Sequence, residues 1–499
     1  MGLIGKAIGF MRGLLGLTTS IQDVFHVAIG VSPLMLTKQS EWQAIIAGQA
    51  HWNKSDVPSL RLALSVATEI ASRASTGLIS EVLGSPRAEY INEQFESAME
   101  KLDDISLSIC SYGECIVKPF ISENEIKISV VEIDSYWAIA YDSTDELIDV
   151  IFGAIYQTDK YIYRLLERHT YDREAKTHSI IYKAFRTEST AFAFTPSSLG
   201  QEVPLSEVPD WSSLQDITIG NVDKPLFVLV RMRNGESFEK PQRQGVPPWT
   251  KAIPMIQKAD EHEARIEWEF EGGELALNVD VSMLKMRGVD NDGNPIVKLD
   301  KKRERLYNKF IGTVGKEFLP DIYNPEPRIK GYNQRMNDIF RRIEFLSGLS
   351  YGVISDATSQ ERTATEFRAS KERLVTTVSG IQQEVLTPAL THLVYVFEKL
   401  SDLQGIPYGE VDLILEWSEN YALDRKEEAE ERMLLYQSGL LFLDEFRAYY
   451  NEMDLEDAQA DLEERGVIYI GKPGTISDAT LSDTDKQLAH AEMNRGQNQ

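Results

Sequence analysis

Apolar residues recur at helical spacing in two long blocks of this chain and at strand spacing in the block between them. From Glu41 to about Asp104, Trp42, Ile45, Ile46 and Gln49 share one helical face, and Leu60, Leu64, Ala67, Ile70 and Ala71 repeat the same period. Pro58 and the Gly84-Ser85-Pro86 step punctuate this small helical region. From Ile109 to about Arg233 the pattern becomes strand-like. Glu125 to Ile133, Val150 to Tyr156, Tyr161 to Leu166 and Ser179 to Phe185 are β-branched and aromatic runs separated by turn residues, which predicts antiparallel sheet. Ser197 to Asp223, rich in Pro, Ser and Asp, reads as a long surface loop ahead of the apolar run Leu226 to Val230.

Pro247-Pro248-Trp249 closes that block, and Lys251 to Glu271 carries good helix formers without strand alternation. The second half of this helix is acidic, with seven acids in KADEHEARIEWEFEGGE against Lys258 and Arg265. Gly272 and Gly273 end it, and a hairpin-like insert follows to about Pro327, with a turn signal at Asp292-Gly293-Asn294-Pro295. A second helix over Gly331 to Leu346 puts Met336, Ile339, Phe340, Ile343 and Leu346 on one stripe and Arg335, Arg341 and Arg342 elsewhere. The polar stretch SGLSYGVISDATSQ separates it from a third helix, opened by the capping box Thr363-Ala364-Thr365-Glu366 and kinked at Pro388 on its way to Leu400. Beyond Gly405, Val411 to Trp417 alternates like a strand. Asp424 to Arg465 reads as helix with 14 acids against 5 bases, and the polar residues from Lys472 onward read as a disordered tail.

With 499 residues the chain exceeds what one core can serve, so two to four structural regions are expected. A hydrophobic fraction of 42% with 26% charged residues is ordinary for a folded soluble protein. The net charge of -26, from 78 acids and 52 bases, excludes tight nucleic-acid binding through a broad basic face. A conduit is compatible with that charge, because a passage through which DNA slides must not grip phosphates. Cys110 and Cys115, spaced C-x4-C with no histidine nearby, suggest two buried, inert thiols and a reducing compartment. The opening MGLIGKAIGFMRGLLGL is apolar, but Lys6 and Arg12 interrupt any signal-peptide core, so an amphipathic arm and a cytoplasmic site of synthesis are expected.

Three segments imitate catalytic motifs. Gly348-Leu349-Ser350-Tyr351-Gly352 matches G-x-S-x-G, yet a nucleophile elbow needs a strand before its serine, and here a helix precedes it. GVIYIGK at 466–472 has P-loop spacing, but Pro473 stands where magnesium needs a hydroxyl. Asp290, Asp292 and Asn294 alternate like calcium ligands, but Pro295 and Lys301 occupy the Gly and Glu positions of an EF-hand. The seven histidines form no ligand pair, each reading as a surface or satisfied core residue. No enzyme and no cofactor is expected.

The order helix, strand insert, helix, polar loop, kinked helix between Trp249 and Leu400 resembles the stem, clip, stem, tunnel loop and crown-side helix of tailed-phage portal proteins. The wording is similar to the family of long-tailed phages of Gram-positive hosts at Trp42 to Lys54, at SYGECIVKPFISENEIK (111–127), at VDKPLF (222–227) and at RTATE (362–366). Glu267 to Gly273 departs from it, being acidic where basic residues would lead into the clip. The resemblance implies an α+β fold. Residues 1–39 would form an N-terminal arm, 40–245 a wing, 246–273 a stem helix, 274–328 a small α/β clip and 329–347 the second stem helix. The tunnel loop would follow at 348–361, then a kinked wing and crown helix at 362–400, a crown region at 401–471 and the tail at 472–499.

By the same resemblance the chain would form a dodecameric ring at one capsid vertex, assembled in the host cytoplasm and retained in the virion. Double-stranded DNA would pass through it, and its partners would be the terminase large subunit, capsid and scaffolding proteins, and head-completion or tail adaptor proteins. Gly348, Ser350, Tyr351, Gly352, Ser355, Asp356, Thr358, Ser359 and Gln360 would line the channel, with no Lys or Arg among them to hold phosphates. Glu263 and Glu267 would meet Arg335 and Arg342 of a neighbouring subunit. The alternative is a soluble multidomain interaction protein of smaller oligomeric state, without a DNA channel.

Overall fold

A computed structural model describes residues 21–54, 56–188, 199–233, 238, 240–272, 276–280, 307–310, 321–323, 328–356, 364–418, 432–433, 436, 442–451 and 458. It is mixed α and β. The chain divides into two compact units, Met1–Ala422 and Leu423–Gln499.

The first unit opens with a helical turn at 21–25, then α1 (Pro33–Ile46), α2 (Leu62–Ala74), β1 (Leu78–Gly84), α3 (Pro86–Met99) and α4 (Leu102–Tyr112). Two helix starts share one device. Ser32 and Ser85 accept the backbone N–H groups of Met35 and Ala88, with Pro33 and Pro86 just inside each helix, where a missing N–H costs nothing. The N-terminal arm expected over 1–39 is thus partly core: Ile21 is fully buried, Val24, Phe25, Val27 and Ile29 pack against the sheet cluster around Ile139, Ile151 and Phe185, and α1 begins at Pro33.

The β-rich block is β2 (Glu114–Ser122), β3 (Glu125–Val131), β4 (Tyr136–Tyr141), β5 (Leu147–Gln157), β6 (Tyr161–Asp172), β7 (Thr177–Glu188), β8 (Gln201–Val203), β9 (Ile217–Gly220) and β10 (Val228–Arg231). β10-β2-β3 form one antiparallel sheet; β4-β5-β6-β7-β8 form another, with β9 also on β7. The expected surface loop over 197–223 is therefore corrected. Its short strands extend the sheet, and Leu199, Val203, Val208, Trp211 and Val222 are buried. Its many prolines and serines end each strand quickly, and the apolar residues between them still reach the core.

After a 3-10 turn at Thr250–Ala252 comes α5 (Ile253–Gly272), then β11 (Ala276–Asp280), β12 (Tyr307–Phe310) and β13 (Asp321–Tyr323). β11 pairs antiparallel with β13 but parallel with β12, so the insert is not a simple hairpin, since parallel neighbours require a crossover. The turn signal at Asp292–Pro295 lies outside the described residues. α6 (Ile329–Ser347) returns, ended by Gly348 at φ 79°. Then α7 (Ala364–Gly380) runs into a π-helical turn (Ile381–Leu386) and α8 (Thr387–Leu403). Pro388 has no N–H for the usual helical bond. The chain responds by widening one turn rather than stopping: the Thr387 N–H and hydroxyl both donate to Gln382 O. The start of the expected capping box, Thr363, is outside the described residues.

β14 (Val411–Trp417) pairs antiparallel with β1, Leu78 opposite Trp417 and Gly84 opposite Val411. β1 has no counterpart in the sequence reading, because Ile79 and Leu83 on its outer face are apolar and exposed, which blurs the alternation. One large core joins α1 to α8, with Trp42, Phe95, Trp249 and Phe397 fully buried. Cys110 and Cys115 lie in it as free thiols, Cys110 pushed up to about 12 by burial and Cys115 raised further by burial and Glu114. Of the second unit, α9 (Leu443–Asn451) is described, with Tyr436 stacked on Phe446 at 5.7 Å. Most of the acidic helix expected over 424–465, the 466–472 motif and the tail from 472 lie outside the described residues.

Candidate subunit interface and channel loop

α5 and α6 are antiparallel neighbours. Ile256, Ala259 and Ile266 of α5 face the core with Met336, Ile339 and Ile343 of α6. Polar bonds set their register: His262 Nε2 lies 2.9 Å from Tyr332 O, and Arg328 grips Glu269 with two parallel bonds of 3.0 and 2.8 Å. The Arg328 side chain and backbone N–H hold the Glu269 carboxyl down at about 2 and Glu269 raises Arg328 in turn.

In its first half α5 is tied to the α1–α2 connection through Asp260, which is 1% exposed. Its Oδ2 accepts Trp52 Nε1 and Asn53 Nδ2, both at 2.9 Å, and its Oδ1 accepts the Leu60 N–H at 2.9 Å. Nothing in the sequence separates Asp260 from its six acidic neighbours. A close backbone approach fixes the segment just before α5. The Cβ of any residue replacing Gly245 would sit 2.0 Å from Gly113 O, so neither the chain path nor the glycine is negotiable there.

The four residues expected at a subunit contact lie on these two helices. Glu267, Arg335 and Arg342 are exposed and Glu263 half-buried, and among the described residues none of the four is in an ion pair. At about 100° per residue, with the buried stripes facing each other, Glu263 and Glu267 fall on one flank of the hairpin and Arg335 and Arg342 on the opposite flank. That placement explains why they do not neutralise one another within the chain. Large apolar side chains stand out beside them: Trp268 is 66% exposed, Phe270 48% and Phe345 53%. Trp268 and Phe270 lie on either side of the buried Glu269, one on each flank.

The loop after α6 is wound around a carboxylate. Glu344, fully buried, accepts the backbone N–H groups of Gly352, Ile354 and Ser355 at 3.0, 2.8 and 2.9 Å and the Ser355 hydroxyl at 2.7 Å. Asn337 accepts the Asp356 N–H at 2.7 Å, Ser370 Oγ accepts the Tyr351 N–H at 2.6 Å, and the Thr377 hydroxyl donates to Gly348 O at 3.2 Å. Arg373 sits 4.5 Å over the Phe345 ring and 5.5 Å over the Tyr351 ring.

Of the residues expected to line a channel, Gly348, Ser350, Tyr351 and Gly352 are half-exposed and Asp356 is exposed. Ser355 is buried, its hydroxyl committed to Glu344, so its part is to hold the loop rather than to present a surface. Thr358, Ser359 and Gln360 lie outside the described residues. Sequence reading missed Glu344, which looks like one more acid on an amphipathic helix. Its only signal is its place on the apolar stripe one residue after Ile343 and three before Ser347.

Among the described residues no three His, Cys, Asp or Glu side chains converge as metal ligands, and no helix is long and apolar enough to cross a membrane. No protein-family model matches the chain, and no curated protein matches it. Two solved structures are similar in part. A chain of the neck of an empty GTA particle, computed with C6 symmetry, is 12% identical with a TM-score of 0.37, and the likeness covers 77% of this chain and 87% of that one. A chain of the neck of a native GTA particle, computed with C12 symmetry, is 12% identical with a TM-score of 0.35 over the same shares. At these scores neither likeness carries weight for function.

Proposed function

We propose that the chain is a subunit of a closed ring that serves as a portal at a capsid vertex, the conduit for double-stranded DNA during packaging and exit. The observation that carries this reading is the α5–α6 hairpin. It exposes an acidic flank and a basic flank on opposite sides, each with an aromatic residue beside it. A two-fold dimer would bring a flank against its own copy, with like charges meeting. A head-to-tail contact joins the acidic flank of one copy to the basic flank of the next, and such contacts close into rings. Exposed Trp and Phe beside unpaired charges have the composition of an interface core and rim.

The family resemblance adds the rest of the proposal: twelve copies, the terminase large subunit and head-completion or tail adaptor proteins at the clip, capsid and scaffolding proteins at the wing, and the 348–361 loop nearest DNA. In this reading the chain is not catalytic and ATP hydrolysis belongs to the motor. A pure chain is expected to show no ATPase or esterase turnover in a direct assay.

Light scattering after size exclusion should report a particle of many subunits, and negative-stain images should show rings with a central hole. A monomer or dimer at every concentration would favour the interaction-protein alternative. Reversing one flank, as Glu267→Arg or Arg342→Glu, should weaken each contact by roughly tenfold or more, about 1.4 kcal/mol. The double reversal should restore rings. Equal assembly by both single variants, measured by sedimentation velocity, would remove the hairpin flanks from the interface.

A further inference from the structure

The VDKPLF segment at 222–227 is held from two sides, and one of its holds depends on a pair of buried histidines. Toward the helices, its Asp223 N–H donates to the Tyr395 hydroxyl at 2.6 Å, and His392 Nε2 lies 2.9 Å from Pro225 O, both partners on α8. Toward the sheet, its Val222 N–H donates to Lys176 O at 3.0 Å and its Leu226 N–H to His178 Nδ1 at 3.4 Å. Phe227 is 1% exposed, packed against the rings of His169, His178 and Phe152.

These bonds assign the protons. A backbone N–H can only donate, so His178 Nδ1 is bare and its proton is on Nε2. That proton points to His169 Nδ1 at 2.9 Å, which places the His169 proton on Nε2, 2.8 Å from Glu167 Oε1. Glu167 also takes the Tyr182 hydroxyl at 3.4 Å on Oε1 and Lys118 Nζ on Oε2. The chain of bonds runs one way and accommodates two imidazole protons. A third sets two donors face to face, either between the rings or at Leu226.

We propose that the His169–His178 pair is a proton-operated latch: protonating it releases the Leu226 N–H and loosens segment 222–227 between β7 and α8. The groups facing the pair leave it little alternative. Glu167 from β6 is already engaged by Lys118 from β2 and Tyr182 from β7, β5 contributes Phe152 and Val150, and the segment itself contributes Leu226 and Phe227. On the far side of the segment, His392 has Lys224 nearby and, among the described residues, no carboxylate acting on it.

The titration directions agree with this geometry. Burial lowers His169 despite the Glu167 bond, and burial followed by the His169 charge lowers His178 well below the ordinary imidazole value. Burial brings His392 to about 4. The unfolded chain takes up these protons near pH ~6.5 and the folded chain resists them, so the latch is at full strength above that pH and weakens progressively as pH falls from there toward the lowered values of the folded imidazoles. Nothing in the latch depends on ring assembly.

The test is amide exchange of the full-length chain, read by mass spectrometry on peptides spanning 222–230 and corrected for the intrinsic pH dependence of exchange. Between pH 7.5 and 5.5 the wild-type segment should lose protection by about tenfold, while peptides of β5 and β6 away from the latch change little. His178→Gln can keep both bonds, with Oε1 accepting Leu226 and Nε2 donating to His169, but it does not titrate. It should flatten the profile, and His392→Gln should leave the step in place. Wild-type protection unchanged across that range would overturn the latch whether or not the variants fold. So would a step that survives in His178→Gln or vanishes in His392→Gln.

Discussion

Glu344→Ala should destabilise the first unit by about 3–5 kcal/mol, because it removes at one stroke the acceptor of the Gly352, Ile354 and Ser355 N–H groups and of the Ser355 hydroxyl, leaving the Gly352 N–H only Ser355 Oγ at 3.2 Å. The damage should be concentrated in residues 349–356, whose exchange protection should collapse before that of α6 itself. Glu344→Gln separates shape from charge. Its carbonyl oxygen can still accept the three N–H groups while its amide donates to Ser355 Oγ, so the cost should stay under about 2 kcal/mol. Urea unfolding followed by circular dichroism and local exchange would read both variants. If Gln costs as much as Ala, the loop depends on the negative charge and not on the acceptor geometry. The consequence for the proposed portal is specific: residues 349–356 of the candidate channel loop would form a fixed ledge, held on the Glu344 carboxylate.

Removing the three-way acceptor at Asp260 should have the next largest effect. Asp260→Asn sets an amide donor against a donor in either orientation, facing Trp52 and Asn53 or facing the Leu60 N–H, and a loss of about 2–4 kcal/mol is expected. Trp52→Phe removes one donor and keeps most of the ring, so it should cost nearer 1 kcal/mol. The two changes should fall short of additivity, since both act on the same carboxylate and its donors, and a double-mutant cycle by chemical denaturation would measure that coupling. Additive losses would mean that Trp52 stabilises by packing alone. Because Asp260 anchors α5 to the α1–α2 connection, Asp260→Asn rings, where the proposed assembly forms, should also be less uniform in negative-stain classes than the wild type.

The latch at His178 and the carboxylate at Glu344 share a design. In each, a polar side chain that cannot be told from its neighbours in the sequence organises backbone N–H groups from a segment with no regular structure. Loops carry unpaired backbone donors by necessity, and burying one requires an acceptor brought from elsewhere. Both acceptors are therefore places where a single atom controls a whole segment.

Much was determined by the sequence alone. Period and punctuation predict α1 to α3 and the start of α4, the antiparallel strands β3, β5, β6 and β7, the hairpin of α5 and α6, and an interruption of the last long helix at Pro388, because these depend on residues within a few positions of each other; that α4 runs on to Tyr112 and that the interruption is a widened turn were decided by the structure. The burial of Cys110 and Cys115 follows from the same local apolar context. The charges of α5 and α6 were legible too, though not the flanks on which they stand. Tertiary structure decided everything that joins distant segments: β1 with β14, β11 parallel to β12, the sheet-forming path of 199–222, Trp52 with Asp260, and the His169–His178 pair. The physical reason is that a hydrogen bond or strand pairing across hundreds of residues leaves no periodic mark in either partner. Its energy is realised only when the core brings both ends together.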